Sequence, residues 1–152
     1  MDTQLAQYVE EVALFWEQQG LPRIAGRILG LLMVCDPPHR SARQIAEQLS
    51  VSKGSVSTMV RLLLASGSIE VVAIPGERAT HYRLSPDSIE QKLERRLQAM
   101  VGFQGLADRG LALLADAPDA QRERLLHIRD LYAFLGEELP LLIARWRQRQ
   151  DG

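Results

Sequence analysis

Apolar residues recur at spacings of three and four from the start of the chain. Leu5, Val9, Val12 and Trp16 share one face of an amphipathic helix over residues 3–19, and Gly20 is placed to close it in a left-handed cap. After Leu21, Pro22 suits a first helical position. Ile24, Ile28, Leu31, Leu32 and Cys35 then carry a second, more apolar and therefore buried helix to a stop at Asp36-Pro37-Pro38. Ser41 is placed to cap a short third helix ending at Leu49, with Ile45, Ala46 and Leu49 turned inward. Ser52 is placed to cap a fourth running to about Ser66, where Gly67 ends it. The period then changes. IEVVAI at 69–74 and THYRL at 80–84 read as two strands around the turn PGER at 75–78, which predicts a β-hairpin. Ser85-Pro86-Asp87 opens a long fifth helix through Ile89, Leu93, Leu97 and Val101 to about Ala117-Pro118. A sixth follows, with Leu125, Ile128, Leu131, Leu135 and Leu139 in its stripe, and Pro140 is expected to kink or break it before the tail ARWRQRQ.

Three helices followed by a hairpin is the winged helix-turn-helix arrangement, which spacing can test. Two helices that cross closely need a small residue where they touch, a tight turn four residues on, and an apolar residue six beyond that to seal the angle. Ala46, Ser50 and Val56 stand at those positions, with Ser50 where glycine is favoured, and Ile45, Leu49, Val51 and Met59 flank them.

The fourth helix begins SKGSVST, a run of poor helix formers. Ser, Thr and Gly each lose up to about 1 kcal/mol against Ala in a helix interior, so another demand must favour them. Lys53, Gly54, Ser57, Thr58 and Arg61 fall on the outward face, with Ser55 at its boundary. Small side chains let a helix lie deep in a major groove, where hydroxyls reach base edges or phosphates. Arg61 can bond guanine bidentately, and Lys53 with the helix amino end favours phosphate. At the hairpin tip, Gly76 gives a permissive backbone and Arg78 can enter a narrow minor groove, with Arg83 further along the strand. The structural alternative is a solvated helix start and a turn kept soluble by Glu77 and Arg78.

Composition sets limits on this reading. The 152 residues are 46% hydrophobic and 24% charged, a globular balance for one domain or two small subdomains. Net charge is −1, low for a nucleic-acid binder, but residues 36–84 hold six basic side chains against four acids, so the middle of the chain is basic within an acidic frame. Cys35 is the only cysteine, and nothing favours an oxidising compartment. The amino end has four acids before its first base, Arg23, the reverse of a signal peptide, and the longest apolar run, Ile28 to Cys35, has eight residues. A cytoplasmic protein with no membrane span is expected.

The run LPRIAGRILGLLMVCDPP, with SARQIAEQLSVSKGSVSTMVRLLLASGSIEVVAIPGERATHYRL, resembles the MarR-type winged-helix regulators, in particular the branch typified by GbsR. The resemblance is strongest over residues 21–84. It implies a homodimer whose first, fifth and sixth helices entwine, two winged lobes on a palindromic operator, and a small-molecule pocket between dimer and lobes. By position it assigns Lys53, Ser55, Ser57, Thr58 and Arg61 to the recognition helix and Arg78 to the wing. The expected fold is therefore mainly α with a small β-hairpin wing. Residues 21–84 form the DNA-binding lobe, and residues 1–20 with 85–152 form the helical dimerisation region. The three terminal helices also hold more apolar surface than so small a lobe can cover, and a self-contained antiparallel bundle is the alternative to subunit packing.

The expected function is a ligand-responsive repressor with double-stranded DNA, a second copy and a small-molecule effector as partners, and with no cofactor. The rival is a winged-helix protein-interaction or effector-binding module without DNA binding, which the near-neutral charge favours. Phe15 and Trp16 on the first helix are the candidate pocket residues, through cation–π contact beside Glu10 or Glu11, although a helical aromatic stripe also suits a core. Cys35, Asp36 and His39 make at most half a tetrahedral metal site, and Cys35 at the end of an apolar helix reads better as a core residue than as an oxidation sensor. His39, His81 and His127 are scattered in sequence, no nucleophile turn or glycine-rich phosphate loop is present, and no enzyme is expected.

Overall fold

Helix α1 spans Thr3–Gln18, and Gly20 follows it at φ 89°, a left-handed conformation that costs little without a Cβ. The computed structural model, which describes residues 2–150, places α2 at Arg23–Val34, with Pro22 just before the first helical residue. α1 and α2 touch through Gly26 and Gly30. A Cβ on Gly26 would lie 2.9 Å from the Cα of Ala13, and one on Gly30 would lie 3.2 Å from the Cα of Val9. These glycines are needed for the close approach, which buries Val9 and Ala13 completely.

Helix α3 spans Ala42–Leu49 and opens with a full capping box: the Gln44 amide donates to Ser41 Oγ (3.3 Å), while the Ser41 amide donates to Gln44 Oε1 (2.8 Å). Helix α4, Lys53–Ala65, is capped by Ser52, whose Oγ accepts from the Ser55 amide at 3.1 Å. Between them Ser50 sits at φ 52°, the left-handed position where glycine is favoured. Ala46 and Val56 are buried at the helix crossing, as the spacing requires.

The sheet has three antiparallel strands in the order β1-β3-β2: β1 Arg40–Ser41, β2 Ile69–Val72 and β3 His81–Leu84. Both hairpin strands are shorter than their apolar runs. β1 is an addition that no periodicity reveals, because two residues carry no alternation. It pairs Ser41 with His81, and β2 pairs Val72 with the same residue. The connecting turn is type II, with Pro75 and Gly76 (φ 84°) at its centre and the Glu77 amide donating to the Ile74 carbonyl at 3.1 Å. Ile28, Ile45, Leu49, Val56, Leu63 and Ile69 form the centre of one core beneath α1–α4 and the sheet.

The chain divides into two compact units, Met1–Ile89 and Glu90–Gly152. The second holds almost all of α5 (Ser88–Val101), with α6 (Phe103–Leu113) and α7 (Asp119–Gln150). The expected long fifth helix is thus two, interrupted at the single residue Gly102, a weak helix former whose amide still donates to the Gln98 carbonyl at 3.1 Å, and finished at Leu113. Pro140 does not break α7, which continues for 32 residues. Proline removes only the donor that would reach the carbonyl of Gly136, and its ring presses on that same carbonyl, where a residue without Cβ can adjust. Among the described residues no helix is long and apolar enough to cross a membrane.

Candidate nucleic-acid interface

Val56, Val60 and Leu63 anchor the buried stripe of α4, so the opposite face is committed to solvent. Lys53, Gly54, Ser57, Thr58 and Arg61 lie on that exposed face. Ser55 is half-buried, its hydroxyl 2.8 Å from that of Ser52, and so belongs to the cap as much as to the face. Thr58 Oγ1 donates to the Gly54 carbonyl at 3.1 Å, which leaves its lone pairs open, and Arg61 Nε makes a long 3.4 Å bond to the Ser57 carbonyl. The helix opens with a capped amino end and two hydroxyls, a surface able to donate to phosphate and exchange hydrogen bonds with base edges.

Partners sort the cations of this unit. Arg43 pairs with Glu47 at 2.9 Å and Arg83 with Glu70 at 2.6 Å across β2 and β3. Arg40 donates to the carbonyls of Asp36, Pro37 and His39 and to Gln48 Oε1, tying down the loop before β1. On α2, Arg27 meets Glu10 at 2.5 Å and donates to the Leu49 carbonyl at 3.0 Å, so it joins α1 to the end of α3 beside the Ser50 turn. Lys53, Arg61 and Arg78 make no ion pair with any described acid. The lobe therefore presents free positive charge at two positions on α4 and one in the exposed wing.

Two side chains of the wing base have no role in a reading by sequence alone. His81 is 2% exposed, with Nε2 3.0 Å from a Glu77 carboxylate oxygen and Nδ1 3.0 Å from the Ala79 carbonyl oxygen. The His39 ring meets it edge to face at 5.0 Å. Pairing of β1 with β3 brings these distant histidines together.

Phe15 is exposed and Trp16 half-buried against the core, their rings edge to face at 5.3 Å, while Glu10 is engaged by Arg23 and Arg27. A cavity of about 380 Å³ lies instead in the second unit, between α5 and α7, where Leu97, Val101, Leu139, Pro140 and Ile143 supply apolar walls and Glu94 pairs with Arg147. Cys35 is a free thiol whose pKa is raised by burial, the wrong direction for a reactive thiolate. Among the described residues no three His, Cys, Asp or Glu side chains could hold a metal ion.

A helix-turn-helix with a polar, cation-bearing second helix and an arginine-tipped wing defines a DNA-binding transcriptional regulator of the winged-helix class. Within that class the chain belongs to the MarR family. The general MarR family model matches residues 19–78, and a model for MmpR5-like MarR family transcriptional regulators matches residues 87–149. Over 145 residues the chain is 39% identical to the HTH-type transcriptional regulator MmpR5 of Mycobacterium tuberculosis, which covers 95% of this chain and 88% of that one. A crystal structure described as a transcriptional regulator superposes with a TM-score of 0.69 at 38% identity, covering 95% of this chain and 99% of that one. The family consists of transcriptional regulators, which are not enzymes.

Proposed function

We propose that the protein is a cytoplasmic homodimeric repressor that binds a palindromic operator with α4 in the major groove and the wing in the adjacent minor groove. The observation that carries this reading is the sorting of charge. Apart from Arg40, whose guanidinium is spent on three loop carbonyls and Gln48, the cations of this lobe left without an acid are Lys53, Arg61 and Arg78. Ser57 and Thr58 lie between them as groups able to meet base edges, and Ser55 supports the helix start. Residues 21–84 serve as the DNA-binding lobe.

Residues 1–20 with 85–152 serve as the dimerisation region. Their exposed apolar side chains, among them Phe15, Leu93, Leu106, Leu113, Phe134 and Leu141, support subunit packing. The apolar cavity of the second unit supports response to a small, largely apolar effector, with the Phe15–Trp16 pair as the other candidate surface. Within the family, identity over nearly the whole chain favours placement beside MmpR5 over the GbsR-like branch that the winged lobe resembles.

The test is fluorescence anisotropy on DNA from the protein's own upstream region against a shuffled duplex, titrated with salt. Preferential binding with a steep negative slope of log K against log salt is expected. Absence of binding to either duplex at low salt refutes the reading and leaves the winged fold as a protein-interaction module.

A further inference from the structure

His81 is the one histidine of the chain that is buried, and both of its ring nitrogens face acceptors. Nδ1 lies 3.0 Å from the Ala79 carbonyl oxygen and Nε2 lies 3.0 Å from a Glu77 carboxylate oxygen. Neither an amide carbonyl nor an ionised carboxylate can donate, so a neutral imidazole, with one N–H, satisfies only one of them. The imidazolium satisfies both. Removing the proton sets a nitrogen lone pair of the buried ring against an oxygen lone pair, and one contact must open. Arg78 lies between the two residues so held.

We propose that His81 is a positioning residue for DNA binding: its doubly protonated ring fastens Glu77 and Ala79 to the base of the wing and so fixes Arg78 for the minor groove. The proposal rests on the DNA-binding reading above. The groups around the ring support the carboxylate as the controlling partner. On α3, Arg43 and Glu47 line the same cavity as Glu77 and His81 but neutralise each other. On β1, Arg40 is spent on carbonyls and Gln48, and on β2 and β3, Glu70 pairs with Arg83. His39 touches the ring edge to face, and its buried Nδ1 has no hydrogen-bond partner. The sign follows from the geometry. The fastened wing needs the doubly protonated ring, so operator affinity should be higher on the acid side than on the basic side.

The experiment combines imidazole nitrogen NMR of the full chain with operator anisotropy at about pH 6 and about pH 8, where histidine charge changes. His81 should show two protonated nitrogens at the lower pH, and the backbone amides of Gly76 and Arg78 should shift with the same midpoint. Affinity for the upstream duplex should be about fivefold tighter at the lower pH, the worth of one contact. Glu77→Gln should flatten this dependence, because its amide can donate to a neutral Nε2, and Arg78→Ala should flatten it by removing the group that is positioned. His39→Gln should leave it intact. A His81 ring that is neutral throughout the range, or a Glu77→Gln protein that keeps the full pH dependence, overturns the proposal. Failure of the parent protein to bind either duplex at any pH removes the DNA reading and the role of Arg78, while the NMR titration still decides whether His81 holds the turn.

Discussion

Arg61 and Lys53 stand on the same exposed face of α4, yet different physics governs them. A guanidinium can bond the two acceptors of guanine at once, whereas a lysine near the helix amino end acts as a point charge toward phosphate. Arg61→Ala should therefore cost about 1 to 3 kcal/mol on the operator and relax base preference, and Lys53→Ala should weaken all duplexes evenly and reduce the salt slope by about 1. Anisotropy on operator and shuffled DNA separates the two, and equal losses on both for Arg61→Ala would refute its role. Cys35 gives a second residue-scale expectation. Burial raises its thiol above the ordinary value of 9.0, so the folded state favours the neutral form. The associated stability is complete below that value and is lost as pH rises through the raised one. Iodoacetamide should accordingly modify Cys35 more slowly than a free thiol at neutral pH, and unfolding in denaturant should abolish the difference.

Among the elements, α3 depends on its start. Ser41 contributes to β1 and also closes the capping box of α3, and Ser41→Ala should lower stability by about 1 kcal/mol, read from the urea midpoint at unchanged slope. The α1–α2 contact should be less forgiving. With Ala13 backbone 2.9 Å from where a Cβ would stand, Gly26→Val must push the helices apart, and a loss of about 1 to 3 kcal/mol is expected, whereas at Gly20 space is open and only the left-handed φ of 89° opposes a side chain. These starts and stops were legible in sequence because they are local: a serine cap and a left-handed residue after the helix lie within one or two turns. The interruption at Gly102 and the continuity through Pro140 were not. Both turn on whether the surrounding helix and its packing tolerate a weak residue, which local propensity alone does not decide.

On the scale of the whole molecule, exposed Leu93, Leu106, Leu113 and Phe134 are more apolar surface than a lone chain usually leaves to water. If a second copy covers them, the urea midpoint should rise with protein concentration, and Leu106→Glu should yield a monomer by sedimentation equilibrium with weakened operator binding. A midpoint independent of concentration would remove the dimer and the symmetric operator together. The winged helix-turn-helix was readable from residues 41–84 because its crossing angle is set by Ala46, Ser50 and Val56, a spacing short enough for the chain to encode directly.

The amino-acid sequence by itself determined the helix-turn-helix, the hairpin after it and the polar outward face of α4, since periodicity and capping act over a few residues. Only the tertiary structure decided which cations remain free. Arg83 meets Glu70 across a strand pair, and Arg27 spans from α1 to the end of α3. It alone also set His39 against His81 through a strand of two residues. Such pairings depend on distances between segments remote along the chain, and those distances exist only once the core has closed.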